Sequence, residues 1–98
     1  MILVIWEYRV NPAYAEIFER NYGRHGDWII LFERFQGYLG SELLKKKGEP
    51  NTYITIDRWE SEDLYHKFLF AAKEEYEMID EQCSSFTLSE VRIGVFEE

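Results

Sequence analysis

The chain has 98 residues, of which 46% are hydrophobic and 17% aromatic, so it is long enough for one folded domain and too apolar for disorder. Its formal net charge of −8 excludes nucleic acid and anionic membrane surfaces as favourable partners, because both are themselves negatively charged. One cysteine and two separated histidines do not provide the ligand spacing of a zinc site.

The cellular location is predicted from two further features. Cys83 has no cysteine to pair with in this chain, which is typical of a reducing compartment. The apolar N-terminus lacks basic residues and is too short for a signal peptide or a membrane span. We therefore expect a cytoplasmic protein.

The first predicted strand, Ile2 to Arg9, is apolar on both faces. Its alternation divides the side chains into two sets, Ile2, Val4, Trp6 and Tyr8 on one face and Leu3 and Ile5 on the other. A strand with one face in water would alternate more cleanly between apolar and polar residues. We expect both faces to be covered.

A helix in two pieces follows this strand. Asn11 is a typical N-cap and Pro12 a typical first helical residue, whereas glycines at 23 and 26 divide the helix and Asp27 is suited to cap its second piece. Each piece has one apolar stripe, formed by Tyr14, Ile17, Phe18 and Tyr22 and then by Trp28, Leu31, Phe32 and Phe35.

Two alternating segments on either side of residues 48–51 predict a β-hairpin. The first strand begins at Tyr38 and the second runs from Thr52 to Trp59. Simple alternation predicts two sets of side chains that each share a face, Tyr38, Gly40, Glu42 and Leu44 on the first strand and Tyr53, Thr55, Asp57 and Trp59 on the second.

The longest predicted helix is capped by Ser61 and carries an apolar stripe of about five turns to Cys83, widened by Leu69 and Phe70. The place of Cys83 in this stripe predicts a small buried side chain and not a nucleophile. A last strand, 88–96, completes the chain.

The order of elements predicts an α+β fold of the ferredoxin-like split βαβ type, as a single domain over residues 1–98. In this fold the helices cover one face of a four-stranded antiparallel sheet. The other face, clearest at Leu3 and Ile5, is too apolar to remain in water. We therefore predict a homodimer in which this open sheet face packs against a second copy.

Several segments resemble the antibiotic biosynthesis monooxygenase family of dimeric α+β barrels. They are GYLGSELL at 37–44, TYITIDRWES at 52–61, the helix with Phe68, Tyr76 and Asp80, and SEVRIGVFE at 89–97. Some members of this family oxidise polycyclic phenols or quinols with dioxygen and use neither metal nor flavin, whereas others degrade haem. The resemblance therefore implies no cofactor for an oxygenase of the first kind.

The resemblance also implies where a site would lie. The family pocket lies between helices and sheet, and Trp59 and Tyr65 match a tryptophan and a tyrosine that are implicated in catalysis. We expect the substrate to contact aromatic residues around such a pocket, Trp6, Tyr8, Trp28, Phe32 and Phe68. The structural alternative is that these aromatic side chains are ordinary core residues.

His66 and Arg58 are secondary candidates. Helical spacing places His66 on the polar face of its helix, which favours a surface histidine. Arg58, next to Asp57, is suited either to orient a substrate or to form a cross-strand ion pair. Haem degradation is disfavoured, because the expected asparagine is replaced by Glu7 and the expected histidine by Leu69 or Phe70.

Three functions remain open at this stage. The first is a cofactor-independent monooxygenase of a small aromatic or polycyclic phenol or quinol. The second is a domain that binds a small apolar ligand in the same cleft without catalysis. The third is a dimeric structural domain whose aromatic residues fill the core and the interface.

Overall fold

A computed structural model describes residues 1–98, which form one antiparallel sheet covered by helices on one face. The strands are β1 (Ile2–Val10), β2 (Tyr38–Lys45), β3 (Thr52–Trp59) and β4 (Thr87–Glu97), in the order β2-β3-β1-β4. The helices are α1 (Ala15–Tyr22), α2 (Asp27–Phe32), α3 (Glu62–Ala71) and α4 (Lys73–Cys83), with 3₁₀ turns at Pro12–Tyr14 and Ser84–Phe86. The predicted ferredoxin-like fold is confirmed, and the sheet of one chain is open.

The core lies between the helices and the covered face of the sheet. Its fully buried side chains come from every layer, namely Val4, Val10, Phe18, Trp59 and Phe68. On the opposite face of the sheet, Leu3, Ile5, Ile54 and Ile56 are only partly buried. The predicted second apolar face therefore exists in the single chain and has no cover within it.

Two of the predicted helix caps are confirmed. The Asn11 side-chain oxygen accepts a hydrogen bond from the Ala13 N–H at 3.0 Å, and the Ser61 hydroxyl oxygen accepts one from the Leu64 N–H at 3.2 Å. The expected cap at Asp27 is wrong, because Gly26 occupies the N-cap position. Only glycine fits there, since a Cβ atom on residue 26 would lie 2.1 Å from the carbonyl oxygen of Asn21.

A β-bulge changes which side chains of β2 face the helices. Tyr38 pairs with Trp59 and Gly40 with Arg58, so Leu39 is the extra residue. Beyond the bulge, Ser41 lies opposite Asp57 on the helix-covered face. Simple alternation, which placed Tyr38 on the same face as Gly40, was wrong. The φ angle of 134° at residue 40 favours glycine and permits the bulge.

The longest predicted helix is interrupted. Ala72, with φ −101° and ψ 14°, separates α3 from α4. The prediction that Phe70 widens the apolar stripe was wrong. Helical spacing rotates Phe70 about 200° from Phe68, so Phe70 faces solvent while Phe68 faces the core. Cys83 is buried, as predicted.

None of the helices combines the length and the apolar composition needed to cross a membrane.

Two phenylalanines of α3 provide a matched test of this packing. Phe68 is 1% exposed and Phe70 is 88% exposed. We expect Phe68→Ala to lower the free energy of unfolding by about 3–5 kcal/mol, because it leaves a cavity among aromatic rings. Phe70→Ala should change it by less than about 0.5 kcal/mol. Urea unfolding of both variants checks this, and equal losses would contradict the described position of α3.

Candidate functional site

A cavity of about 140 Å³ lies between the sheet and helices α1, α2 and α4. Each layer of the fold contributes to its wall, and the sheet residues come from all four strands. The lining residues are Trp6, Tyr8, Tyr22, Trp28, Ile29, Phe32, Ser41, Glu42, Thr55, Asp57, Tyr76, Asp80 and Glu90. Aromatic rings and carboxyl groups thus make up most of this wall.

The aromatic residues of the wall support one another. The Trp28 ring lies at the centre, with ring centroids 4.9 Å from Tyr76, 6.0 Å from Tyr22 and 6.1 Å from Phe32. Tyr22 in turn packs at 5.0 Å against Tyr8. Because these rings hold each other at close contact, the wall is rigid and suited to a planar aromatic ligand.

Asp57 is the carboxyl group best suited to act as a base. It projects from β3 into the cavity and accepts a hydrogen bond from the Ser41 hydroxyl at 2.6 Å. Since Ser41 gives its only hydroxyl proton to Asp57, the Tyr38 hydroxyl donates to the Ser41 oxygen, at 2.6 Å. Burial raises the pKa of Asp57 to about 6, partly offset by the bond from Ser41. A base of this pKa is ionised and effective near neutral pH.

Three tyrosines line the same space. Burial raises the pKa values of Tyr8, Tyr22 and Tyr76 above the usual tyrosine range. These side chains are therefore neutral at physiological pH and able to donate hydrogen bonds. They are the groups available to stabilise negative charge on a ligand oxygen.

Three further acidic residues contribute to the lining of the cavity. Asp80 comes from α4 and Glu90 from β4, and the pKa of Glu90 is raised by burial and then by the Asp80 carboxylate. Glu42 forms an ion pair with Arg58 at 2.6 Å. No lysine, arginine or histidine lines the cavity.

Four of the predicted substrate contacts lie where they were expected, because Trp6, Tyr8, Trp28 and Phe32 line the cavity. Phe68 does not line it. The Phe68 ring packs against Phe32 at 5.3 Å and Trp59 at 4.9 Å, behind the wall. Phe68 therefore contacts the back of a cavity residue and not the space itself.

The two predicted catalytic residues lie outside the cavity lining. Trp59 is fully buried, with ring centroids 5.3 Å from Tyr38 and 5.9 Å from Phe32. Tyr65 is buried beside Trp59, at 5.6 Å between ring centroids. Helix α3 packs over this end of the sheet and fills it with aromatic rings. The roles of Trp59 and Tyr65 in catalysis stay predictions.

The secondary candidates face away from the cavity. His66 is exposed on α3. Arg58 extends from the open face of the sheet to Glu42 on the neighbouring strand and does not contact Asp57, because successive residues of a strand project to opposite faces. Of the two alternatives for Arg58, the structure contains a cross-strand ion pair, but its partner is Glu42 and not Asp57.

The sequence interpretation missed Asp57 as a residue of the cavity wall. The available signal was a carboxyl group on the same face of β3 as Tyr53, Thr55 and Trp59, where an apolar or neutral residue is typical. Tyr76 and Asp80 belong to the family resemblance in the sequence, and Tyr76 also belongs to the predicted apolar stripe. Their spacing of four residues on α4 places both on one side of the helix.

Comparison with protein families gives one match. The profile of the family described as antibiotic biosynthesis monooxygenase matches residues 1–72. Those residues include β1, β2, β3 and every predicted catalytic position. Comparison with functionally curated proteins gives no match.

Comparison with solved structures confirms the fold. SnoaB, a cofactor-independent oxygenase from Streptomyces nogalater, is 20% identical, with a TM-score of 0.74 over 99% of this chain and 91% of its own. A putative antibiotic biosynthesis monooxygenase from Bordetella bronchiseptica is 19% identical, with a TM-score of 0.80 over 99% and 95%. A variant of MhuD with bound manganese protoporphyrin IX is 18% identical, with a TM-score of 0.74 over 100% and 94%. At these identities the likeness shows a shared fold.

Replacement of Asp57 should stabilise the protein at high pH. Because its pKa is raised, Asp57 binds a proton more tightly in the native state than in the unfolded state. The stability that this proton contributes is fully present below about pH 4 and is lost as pH rises through about 6. A pKa of about 6 against an ordinary 3.8 corresponds to about 3 kcal/mol. Because Asp57 is only partly buried, we expect Asp57→Asn to stabilise by about 1–3 kcal/mol at pH 8 and by little at pH 4.

Urea unfolding at the two pH values measures this difference. Glu60→Gln, in the exposed turn after β3, is the control and should leave the pH dependence unchanged. An equal increase in the free energy of unfolding at both pH values would show that the ionisation of Asp57 is not the cause of the stabilisation.

Proposed function

Because the chain belongs to the antibiotic biosynthesis monooxygenase family, we propose that it is a cofactor-independent monooxygenase of a small phenol or quinol. The observation that carries this proposal is the Asp57 carboxylate, with a pKa of about 6, in the wall of an aromatic cavity. An aromatic alcohol must lose its proton before it is electron-rich enough to reduce dioxygen. Asp57 is the base that this step requires.

The proposed reaction balances without a further reductant. For a phenol with a free para position, Asp57 takes the hydroxyl proton and the phenolate transfers one electron to dioxygen. The resulting superoxide bonds to the para carbon. Proton return and cleavage of the O–O bond, with loss of the para hydrogen as a proton, give a para-quinone and one water. The substrate loses four electrons and dioxygen gains four, and one oxygen atom of dioxygen remains in the product.

The dimensions of the cavity favour a substrate of one ring. Pockets for drug-sized ligands measure about 300–1,000 Å³, and this cavity measures about 140 Å³. A shallower groove of about 590 Å³ adjoins it and shares Tyr22, Ile29, Ser41 and Glu42 with the cavity wall. A polycyclic substrate would have to extend into that groove.

Trp59 and Tyr65 are proposed as positioning residues. Trp59 contacts Tyr38, which donates to Ser41, which in turn donates to Asp57. Loss of the indole ring would allow Tyr38 to move and would weaken the hydrogen bonding that orients the Asp57 carboxylate. Tyr65 supports Trp59 from the other side.

The second candidate function is binding of a small ligand without catalysis. The acidic wall favours it, because carboxylates oppose the negative charge that develops on a phenolate. Haem is not proposed as the ligand, since the same carboxylates would repel its propionate groups. The cavity itself supports either of these functions over a purely structural domain.

The protein is further proposed to be a cytoplasmic homodimer. The open face of the sheet carries apolar side chains from all four strands, Leu3, Ile5, Leu44, Ile54, Ile56, Val91 and Phe96. Leu44, Val91 and Phe96 are each exposed over about half their surface in the single chain. Packing this face on a second copy would remove a contiguous apolar surface from water.

Oxygen uptake tests the enzymatic proposal. With 3-ethylphenol, a simple quinol and anthrone as substrates, we expect kcat/KM for at least one of them to rise with pH through about 6 as Asp57 ionises. Asp57→Asn should lower kcat/KM by about 100-fold or more, because it removes the base. Absence of uptake above the rate without protein would leave the binding function.

Trp59→Phe and Tyr65→Phe extend this experiment. As positioning residues they should lower kcat by about 3- to 30-fold and alter the pH profile of Asp57, without the complete loss expected of Asp57→Asn. Uptake unchanged by both substitutions would remove Trp59 and Tyr65 from the proposed site.

Sedimentation tests the dimer. Ile5→Asp places a charge in the middle of the open face and should convert a dimer at micromolar concentration into a monomer. Phe70→Asp, at an exposed apolar position on the helical side, is the control and should remain dimeric. A monomeric wild-type protein at micromolar concentration would refute the proposed assembly.

A further inference from the structure

We infer that the cavity takes an aromatic ligand that carries a positive charge, in the form of an ammonium group attached to the ring by a short chain. That this ligand is a substrate rests on the proposed monooxygenase function. That the cavity binds it is inferred from the wall of the cavity alone.

The charges around the cavity favour a cation. Of the four acidic residues at the cavity, Glu42 directs its side chain to the open face of the sheet, where it pairs with Arg58. The other three, Asp57, Asp80 and Glu90, form no ion pair with any lysine, arginine or histidine. Negative charges beside a partly enclosed space attract a cation and repel an anion, and water and salt screen them less than at an open surface.

The aromatic residues of the wall favour the same kind of ligand. Six aromatic residues line the same space, Trp6, Tyr8, Tyr22, Trp28, Phe32 and Tyr76. The faces of tryptophan and tyrosine rings carry negative partial charge and bind organic ammonium groups. Carboxylates and aromatic faces therefore favour the same class of ligand, and the rings also accommodate the apolar part of that ligand.

The arrangement of the carboxyl groups favours an organic cation over a metal ion. A metal ion needs several oxygen ligands converging on one point. No group of three or more histidine, cysteine, aspartate or glutamate residues in the chain is arranged in this way. Asp57, Asp80 and Glu90 come from β3, α4 and β4 and border the cavity from different sides. An ammonium group, held by longer-range attraction, does not require such convergence.

The wall also contains a carboxylate with unused hydrogen-bonding capacity. Asp57 accepts a side-chain hydrogen bond only from Ser41, although a carboxylate has room for more. A ligand with a hydroxyl and an ammonium group offers further donors to this carboxylate.

A cationic substrate would also remove a difficulty of the proposed reaction. Deprotonation by Asp57 places a phenolate among carboxylates, which raises the energy of that state. An ammonium group on the same molecule leaves the bound phenolate with no net charge. The acidic wall would then assist binding without opposing the chemistry.

Three phenols with matched side chains test the inference. They are 3-(2-aminoethyl)phenol, a cation at pH 7.5; 3-ethylphenol, which is neutral; and 3-(3-hydroxyphenyl)propanoate, an anion. We expect calorimetric Kd values to follow the order cation, neutral, anion, with the cation bound about 10-fold more tightly than the neutral compound. The preference should decrease as salt is added.

Variants of the wall identify the groups responsible. Asp80→Asn and Glu90→Gln should each reduce the preference for the cation about 3- to 10-fold and leave the affinity for 3-ethylphenol nearly unchanged. Glu81→Gln, on the exposed side of α4, is the matched control and should change neither affinity. Thermal melts of each variant confirm that the fold is retained.

The outcomes separate this inference from the proposed reaction. Equal or tighter binding of the neutral or anionic phenol refutes the cationic ligand, as does binding of none of the three at millimolar concentration. A preference for the cation that persists in both Asp80→Asn and Glu90→Gln also refutes the cationic ligand. Selective binding of the cation without oxygen uptake refutes only the monooxygenase. Oxygen uptake with neutral phenols and no preference for the cation refutes only the cationic ligand.

Discussion

The structure depends on a layer of aromatic rings between the sheet and the helices that cover it. At the Trp59 end this layer is complete, because α3 lies over the sheet and Phe68, Tyr65 and Trp59 fill the space between them. At the other end, Tyr8, Tyr22 and Trp28 pack against one another without filling the space that they enclose. The cavity is this incomplete part of the same layer.

The two ends of the layer have opposite effects on stability. Trp59 and Phe68 are almost completely buried, so burial of their rings contributes to the free energy of folding. Asp57 lies two residues earlier on the same face of β3, and its ionised form is destabilised by burial. A carboxylate retained in such a place costs stability, which is typical of groups that act on a ligand.

The charges of the cavity are the basis of the proposed ligand. The family provides a fold in which such a space forms, but the fold alone does not select a ligand. In the proposed site, selection would come from Asp57, Asp80 and Glu90, which have no basic partners, together with the aromatic residues between them. These groups come from three separate elements, so their combined charge arises only when the chain is folded.

The sequence by itself determined the order of elements, the caps at Asn11 and Ser61, the single open sheet and its apolar second face, because these follow from local periodicity and from residues near in the chain. It also identified the family and four residues of the cavity wall. It did not determine the face of Tyr38, because one extra residue in a bulge reverses the alternation. Nor did it reveal that Asp57 lines the cavity with a raised pKa. The pKa of Asp57 depends on desolvation and on Ser41, which lies 16 residues away in the chain and is brought to it only by the pairing of β2 with β3.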